Sequence, residues 1–401
     1  MSPFATLAEE SAGTGRGFFV PRFEVQIDGV AINQGVLRDV VEITYKDKID
    51  EIDGFEMVVG NWDSERNRFK YIGSEGDRHS REHASVREFE TLFEPCHKTV
   101  RLRFGYSSQL VDVMTGTFTT MEPTFSSSGP HTLAVRALNV LHKLRRKKYD
   151  GHWHQKTDSA IAASFRNKVD PKLPSDDKRR IPMDIETAPI EEPEIFFVGQ
   201  KDEYDIDFLW RRARVRSYVV EVRKRDNGDD YLYFGPSNTR GGPVSYELAW
   251  GSGLVDLKVT LTTANQVKKV TVHGWDRARQ KPIEESVDWT DRELQRLNPS
   301  LSELVMQCDP REDRVVTLPV FTKDEARNRA RDILKGNAQD LCKAQGTTIG
   351  LPNLRAGSRV LLSNIGRLSG EYYVTETTHT FNQSGYVTKF LARREDPDTG
   401  V

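Results

Sequence analysis

Apolar and polar residues alternate with a period of two at Phe23, Val25 and Ile27, and again at Val41, Ile43, Tyr45 and at Phe55, Met57, Val59. A period of two puts every second side chain on one face, so these stretches predict half-buried strands built up by hairpins. The pattern lapses between Ser64 and Cys96, a polar connection long enough to suggest a functional or interface loop with a short helix. It resumes at Val100, Leu102 and Phe104 and runs through a hairpin from Gly116 to Ala137. Residues 17 to about 140 therefore read as an all-β barrel or sandwich.

The middle of the chain changes character. Thr157 to Val169 has helical alanines, and residues 170–195, rich in proline and acid, suit a surface crossing. Asp205 to Arg214 predicts a helix with Phe208 and Leu209 inward and Arg211, Arg212 and Arg214 outward. A hairpin follows, with Asn227-Gly228 at its turn. Beyond Tyr246 the period returns to two at Leu257, Val259, Leu261 and at Val270 and Val272, with Trp275 expected as a further core contact. Trp289 to Met306 reads as helical. Thr322 with Glu325 makes a capping box, opening a helix whose apolar face is Ala326, Ala330, Ile333, Leu334 and Leu341 and which Lys343 and Gly346 should stop.

After the turn Gly350 to Gly357, strands at Arg359–Leu362 and Tyr372–Phe381 lead through Asn382-Gln383-Ser384-Gly385 into Tyr386–Arg393. This closing hairpin echoes the earlier one. Phe125 precedes Gly129 and Thr132 by the same spacings at which Phe381 precedes Gly385 and Thr388. The expected fold class is mainly β with inserted helices (α+β): two tube-like β-barrel domains related by internal duplication, plus a small α+β domain. The expected divisions are a mobile N-terminal arm at 1–16, a first barrel at 17–149, the α+β domain at 150–245, a second β-domain from 246–286 and 350–394, a helical insertion at 287–349, and a tail at 395–401.

Charge narrows the function. With 58 basic and 60 acidic side chains, no global field collects nucleic acid. The run Lys143, Arg145, Arg146, Lys147, Lys148 is short and flanked by acids, which fits a solvated face or an acidic neighbouring subunit better than phosphate. No apolar run reaches the roughly 18 residues of a membrane helix. Three widely spaced cysteines, Cys96, Cys308 and Cys342, suit a reducing compartment, and we expect assembly in the cytoplasm. His79, Glu82 and His83 fit the H-x-x-E-H pattern of zinc hydrolases and define the alternative reading, a metal-dependent hydrolase. The stretch lacks an apolar helix face and an identifiable third ligand. His152 and His154 flank Trp153 and supply only two ligands. We expect no catalytic residue, metal or cofactor.

One segment carries a family likeness. Gln200-Lys201-Asp202-Glu203-Tyr204-Asp205-Ile206-Asp207-Phe208-Leu209-Trp210 resembles a motif of phage late control protein D and of the hub portion of VgrG spike proteins. Leu261 to Asp276, the Gly350 to Gly357 turn and Ser369 to His379 point the same way, in the same order. The resemblance covers most of residues 18–394. It implies a structural baseplate hub of a contractile injection machine: a homotrimer whose six tube-like domains adapt a sixfold inner tube to a threefold spike. Its implied partners are the inner tube protein, a spike and other baseplate proteins, and its implied location is a phage tail, tailocin or extracellular injection particle. VgrG chains continue into a spike, so the resemblance implies a separate spike chain here.

Overall fold

The computed structural model describes residues 5–7, 20–73, 91–107, 109–173, 178–189, 191–225, 227, 229–237, 245–264, 266–277, 279–292, 294, 307, 311–316 and 320–395. The N-terminal part contributes β1 (Ala5–Thr6), β2 (Pro21–Ile27), β3 (Val30–Ala31), helix α1 (Gln34–Asp39), β4 (Val40–Lys48), β5 (Gly54–Gly60), β6 (Trp62–Asp63), β7 (Arg68–Phe69), β8 (Thr99–Tyr106), β9 (Gln109–Thr124) and β10 (Thr132–Asn139). The alternating residues face one core: Val25, Ile43, Tyr45, Met57, Val59, Leu102 and Phe104 are fully shielded from solvent. Within the expected arm, Ala5 and Thr6 pair in parallel with Tyr246 and Glu247, and Leu7 packs on the core beyond them.

The middle contributes β11 (Lys148–Lys156), α2 (Asp158–Ser164), β12 (Asp184–Thr187), β13 (Ile195–Tyr204), α3 (Asp205–Arg216), β14 (Val219–Lys224) and β15 (Asp230–Gly235). Here β11 pairs with β13, and β15 lies between β12 and β14. Phe208 and Leu209 are buried, as their helical spacing requires, and Trp153 stacks on Phe208 at 5.1 Å.

The rest contributes β16 (Tyr246–Trp250), β17 (Gly253–Leu261), β18 (Val267–Asp276), β19 (Lys281–Asp288), β20 (Arg311–Val315), α4 (Lys323–Gln339), β21 (Cys342–Ile349), β22 (Arg359–Ser363), β23 (Gly370–Asn382) and β24 (Gly385–Arg394). Three expectations are corrected here. First, β18 and β19 do not join the second barrel; with β20 they form their own sheet, which packs on α4. Second, α4 stops at Gln339 and Lys343 to Gly346 lie in a barrel strand, because Cys342, Ala344 and Gly346 alternate inward toward the core. Third, Trp275 is half exposed. Val270 and Val272 point inward, Gly274 meets Val320, and the strand period then turns Trp275 outward. Thr322 caps the helix, its Oγ1 accepting from Glu325 N at 3.1 Å, while Glu325 Oε2 reaches one residue further back than a capping box requires and accepts from Phe321 N at 2.9 Å. The helical reading of Trp289 to Met306 falls largely outside the described residues.

A single 14-stranded sheet runs through both barrels in the order β1-β16-β17-β21-β24-β23-β4-β5-β10-β9-β8-β2-β3, with β22 joined to β16 and β23. In the second barrel the pairings close a ring through β16, β17, β21, β24, β23 and β22. The duplication is exact enough to include irregularities. The run β4-β5-β10-β9 matches β17-β21-β24-β23 strand for strand, both in pairing order and in antiparallel sense. The first pair of each run bulges at a valine, Val41 or Val255, and the last at a threonine, Thr119 or Thr375. The hairpin spacing read from the sequence holds on the first strand only. Phe125 and Phe381 correspond, but β23 ends in a tight turn at Asn382↔Gly385 while the first hairpin leaves its ladder at Thr124↔Thr132. The longer loop moves the second strand by one residue.

Candidate functional site at the barrel junction

The two barrels are joined where the far half of β23 pairs with β4, from Glu376↔Lys48 to Asn382↔Glu42. On β4, Tyr45 and Asp47 are two residues apart and both point inward. Opposite them the turn Gly350 to Gly357 delivers Arg355 from the second barrel. Gly357 sits at φ +88, which favours glycine there. Arg355 Nε donates to Asp47 Oδ2 at 2.6 Å, one Nη to the Val113 carbonyl at 2.8 Å, and the other to the Tyr45 hydroxyl. Asp47 also accepts from Ala356 N at 3.2 Å and from the Thr377 hydroxyl.

His379, fully buried, lies beside this set. Its Nε2 faces the Leu354 carbonyl at 3.0 Å and therefore carries the proton, leaving Nδ1 to accept from the Tyr386 hydroxyl at 2.9 Å. Burial holds the imidazole down at about 4, so it is neutral at pH 7. Asp53, half-buried nearby, accepts from Asn139 Nδ2 at 2.7 Å; desolvation first, and the charge of Asp47 second, push its carboxyl up to about 7. A second buried set ties in the α+β unit: Glu221 accepts from Arg223 Nε at 2.6 Å and from the Tyr373 hydroxyl of β23 at 2.9 Å. Tyr45, Asp47, Asp53, Glu221, Arg223 and Arg355 line one cleft where the three units meet.

The arrangement is a clamp. Both nitrogens of His379 are engaged by the protein, and the Asp47 carboxylate is held by a guanidinium, a backbone N–H and a hydroxyl. Neither is positioned as a base beside a free nucleophile. The sequence singled out the Gly350 to Gly357 turn but not Asp47, Asp53 or His379. An inward polar residue carries no signal of its own until its partner is in place: Arg355 lies 308 residues from Asp47 along the chain and Asn139 lies 86 from Asp53.

Of the candidate metal ligands read from the sequence, His79, Glu82 and His83 lie outside the described residues. His152 and His154 are exposed on β11 with ring centroids 5.5 Å apart, and among the described residues no group of three His, Cys, Asp or Glu is placed to hold a metal. The basic run is paired off: Arg145 with Asp207, Lys147 with Asp170 and Lys148 with Asp202.

Comparisons with known proteins agree with this architecture. The 43 kDa tail protein of prophage MuSo2 from Shewanella oneidensis superposes with a TM-score of 0.61 at 14% identity, covering 94% of this chain and 99% of that one. A tail protein from Neisseria meningitidis gives 0.61 at 11% identity, covering 94% and 97%. The c3393 protein of E. coli, described as a type VI secretion component similar in structure to the T4 tail proteins gp27 and gp5, gives 0.55 at 12% identity, covering 94% and 78%. The likeness to tail hubs read from the motifs is thus present in the fold. No curated protein matches the chain by sequence. A family model described as the Alg8 N-terminal domain matches residues 20–383, nearly the whole of both barrels and everything between them, and the chain belongs to that family.

Proposed function

We propose that this protein is a structural hub of a contractile injection machine, a homotrimer that adapts a sixfold inner tube to a threefold spike and transmits thrust between them. The observation that carries the reading is the internal repeat, two barrels built on the same four-strand run with the same two bulges. Three chains of this kind present six similar barrels around an axis while keeping threefold identity. The clamp at Asp47 and Arg355 supports a load-transmitting role, because it fixes one barrel to the other with a buried ion pair rather than a hinge. No catalytic step is part of the role, and its partners are a tube protein, a spike and neighbouring baseplate subunits. Electron microscopy of the assembled particle tests it. Three copies between tube and spike are expected, with the two barrels of each copy alternating around the axis; six copies, or a site remote from the tube, would refute the proposal.

A further inference from the structure

The turn between β4 and β5, residues 49–53, is the part of the first barrel that seats in the α+β unit. Ile49 packs against Val219, Tyr231 and Tyr233, with Tyr373 of β23 beside them, and Ile52 packs against the core that holds Phe208 and Leu209. Asp53 ends the turn. Its carbonyl accepts from Asn139 N at 2.9 Å, and its Oδ2 accepts from Asn139 Nδ2 at 2.7 Å. Asn139 in turn caps the short helical turn Val140–Arg145, its Oδ1 accepting from Leu141 N at 3.0 Å, and through that turn the chain passes from the barrel to β11. One side chain therefore ties the loop that enters the α+β unit to the connection that leads into it.

Asp53 is also the carboxylate that the cleft leaves without a cation. Asp47 is paired with Arg355 and Glu221 with Arg223. Glu51 is paired with Lys48, Asp230 with Lys224, and Asp112 with Arg101 and Arg103. Asp53 accepts only from Asn139 and, at 3.3 Å, from Lys48 N, and among the described residues no Lys, Arg or His side chain lies within ion-pair distance of it. His142, on the turn that Asn139 caps, is turned to the Asn139 carbonyl at 2.9 Å. A charge taken from water beside Asp47 and given no counter-ion is relieved by a proton or by opening to solvent.

We propose that this seat is a proton-operated lock, in which protonated Asp53 fastens the β4–β5 turn and the Val140–Arg145 turn to the α+β unit and ionised Asp53 loosens them. The lock does not depend on the hub role. Its sign follows from the closed seat holding the proton more tightly than a seat opened to water: desolvation and the Asp47 charge keep the closed carboxyl at about 7, and opening returns it to the usual carboxylate range. The seat is loosest above pH 7 and tightens as pH falls from there toward 4. His379 acts in the opposite sense over much of that range, so the lock is read by comparing variants with wild type.

Asp53→Asn copies the protonated carboxyl in shape and removes its charge. Asp53→Ser, run beside it, removes the charge with a smaller side chain, and Glu51→Gln removes an exposed acid of the same turn as the control. Hydrogen exchange of the full chain, corrected for its intrinsic pH dependence, reads the opening of residues 49–53 and 139–145 between pH 5 and 8. In wild type and Glu51→Gln, opening should rise by close to tenfold per pH unit below pH 7 and level off above it; in both Asp53 variants it should be flat, with β24 unaffected throughout. Parallel slopes in wild type and the Asp53 variants, or an equal rise in β24, would overturn the lock. Urea unfolding gives a second reading. The folding equilibrium constant of Asp53→Asn relative to wild type should grow by about fiftyfold from pH 5 to pH 7 and little beyond, and a ratio independent of pH would overturn the lock as well.

Discussion

Replacing Arg355 by methionine removes the guanidinium but keeps most of the apolar stem, so it isolates the clamp. Three donors are lost at once: the 2.6 Å bond to Asp47, the 2.8 Å bond to the Val113 carbonyl and the bond to Tyr45. The Asp47 side chain is only 5% exposed and stays behind with Asp53 close by. Breaking a buried pair from one side typically costs about 3 to 5 kcal/mol, much of it the penalty of the stranded charge. Urea unfolding at pH 7 should show a loss of that order. Adding Asp47→Asn to the methionine variant removes the stranded charge, so the double variant should be less destabilised than the sum of the two single variants by about 1 to 3 kcal/mol. Additive single-variant losses would show that Asp47 and Arg355 do not act as a pair.

Neutral, buried His379 has its folded pKa depressed to about 4, so its contribution is fully present above pH 6.5 and is lost as pH falls toward 4, amounting to about 3 kcal/mol. His379→Gln should flatten that part of the stability–pH profile relative to wild type; an unchanged difference curve between pH 6.5 and 4 would contradict it. Phe208→Ala should cost about 3 to 5 kcal/mol because the side chain is fully buried against Trp153 and Phe165, whereas Trp275→Ala, on an exposed face, should be nearly silent in thermal melts. Gly346→Ala would place a methyl 2.4 Å from the Phe390 ring and should cost about 1 to 3 kcal/mol, with melting the simplest check. Elemental analysis of purified protein should show no stoichiometric zinc; zinc that disappears on His83→Ala would revive the hydrolase reading.

The strands of both barrels were legible because one face of each is buried and the other wet, which writes a period of two into the chain. Phe208 and Leu209 were legible for the matching helical reason. Trp275 lies outside the core because parity, counted outward from Val270 and Val272, places it on the wet face. Alternation marks β18 and β19 as strands without naming their partner, which is why they read as part of the second barrel, and β20 lies inside the stretch read as a helical insertion. The clamp was hidden for a related reason. Asp47 looks like an ordinary polar position on β4 until Arg355 arrives, and Asp53 and His379 acquire unusual protonation only through burial that no local pattern records.

The repeat shows which features the two barrels share and which they do not. Bulges at Val41 and Val255 and at Thr119 and Thr375 keep the twist of each four-strand run alike, and twist determines how the next barrel is presented. Side chains at the junction have diverged. Where β4 turns Tyr45 and Asp47 toward the clamp, the matching positions on β17 are Val259 and Leu261. A buried ion pair demands its partner in the same place at every assembly event, which a junction within one chain guarantees. The buried pair therefore belongs to the junction that folding alone completes, while the same step on β17 carries apolar side chains.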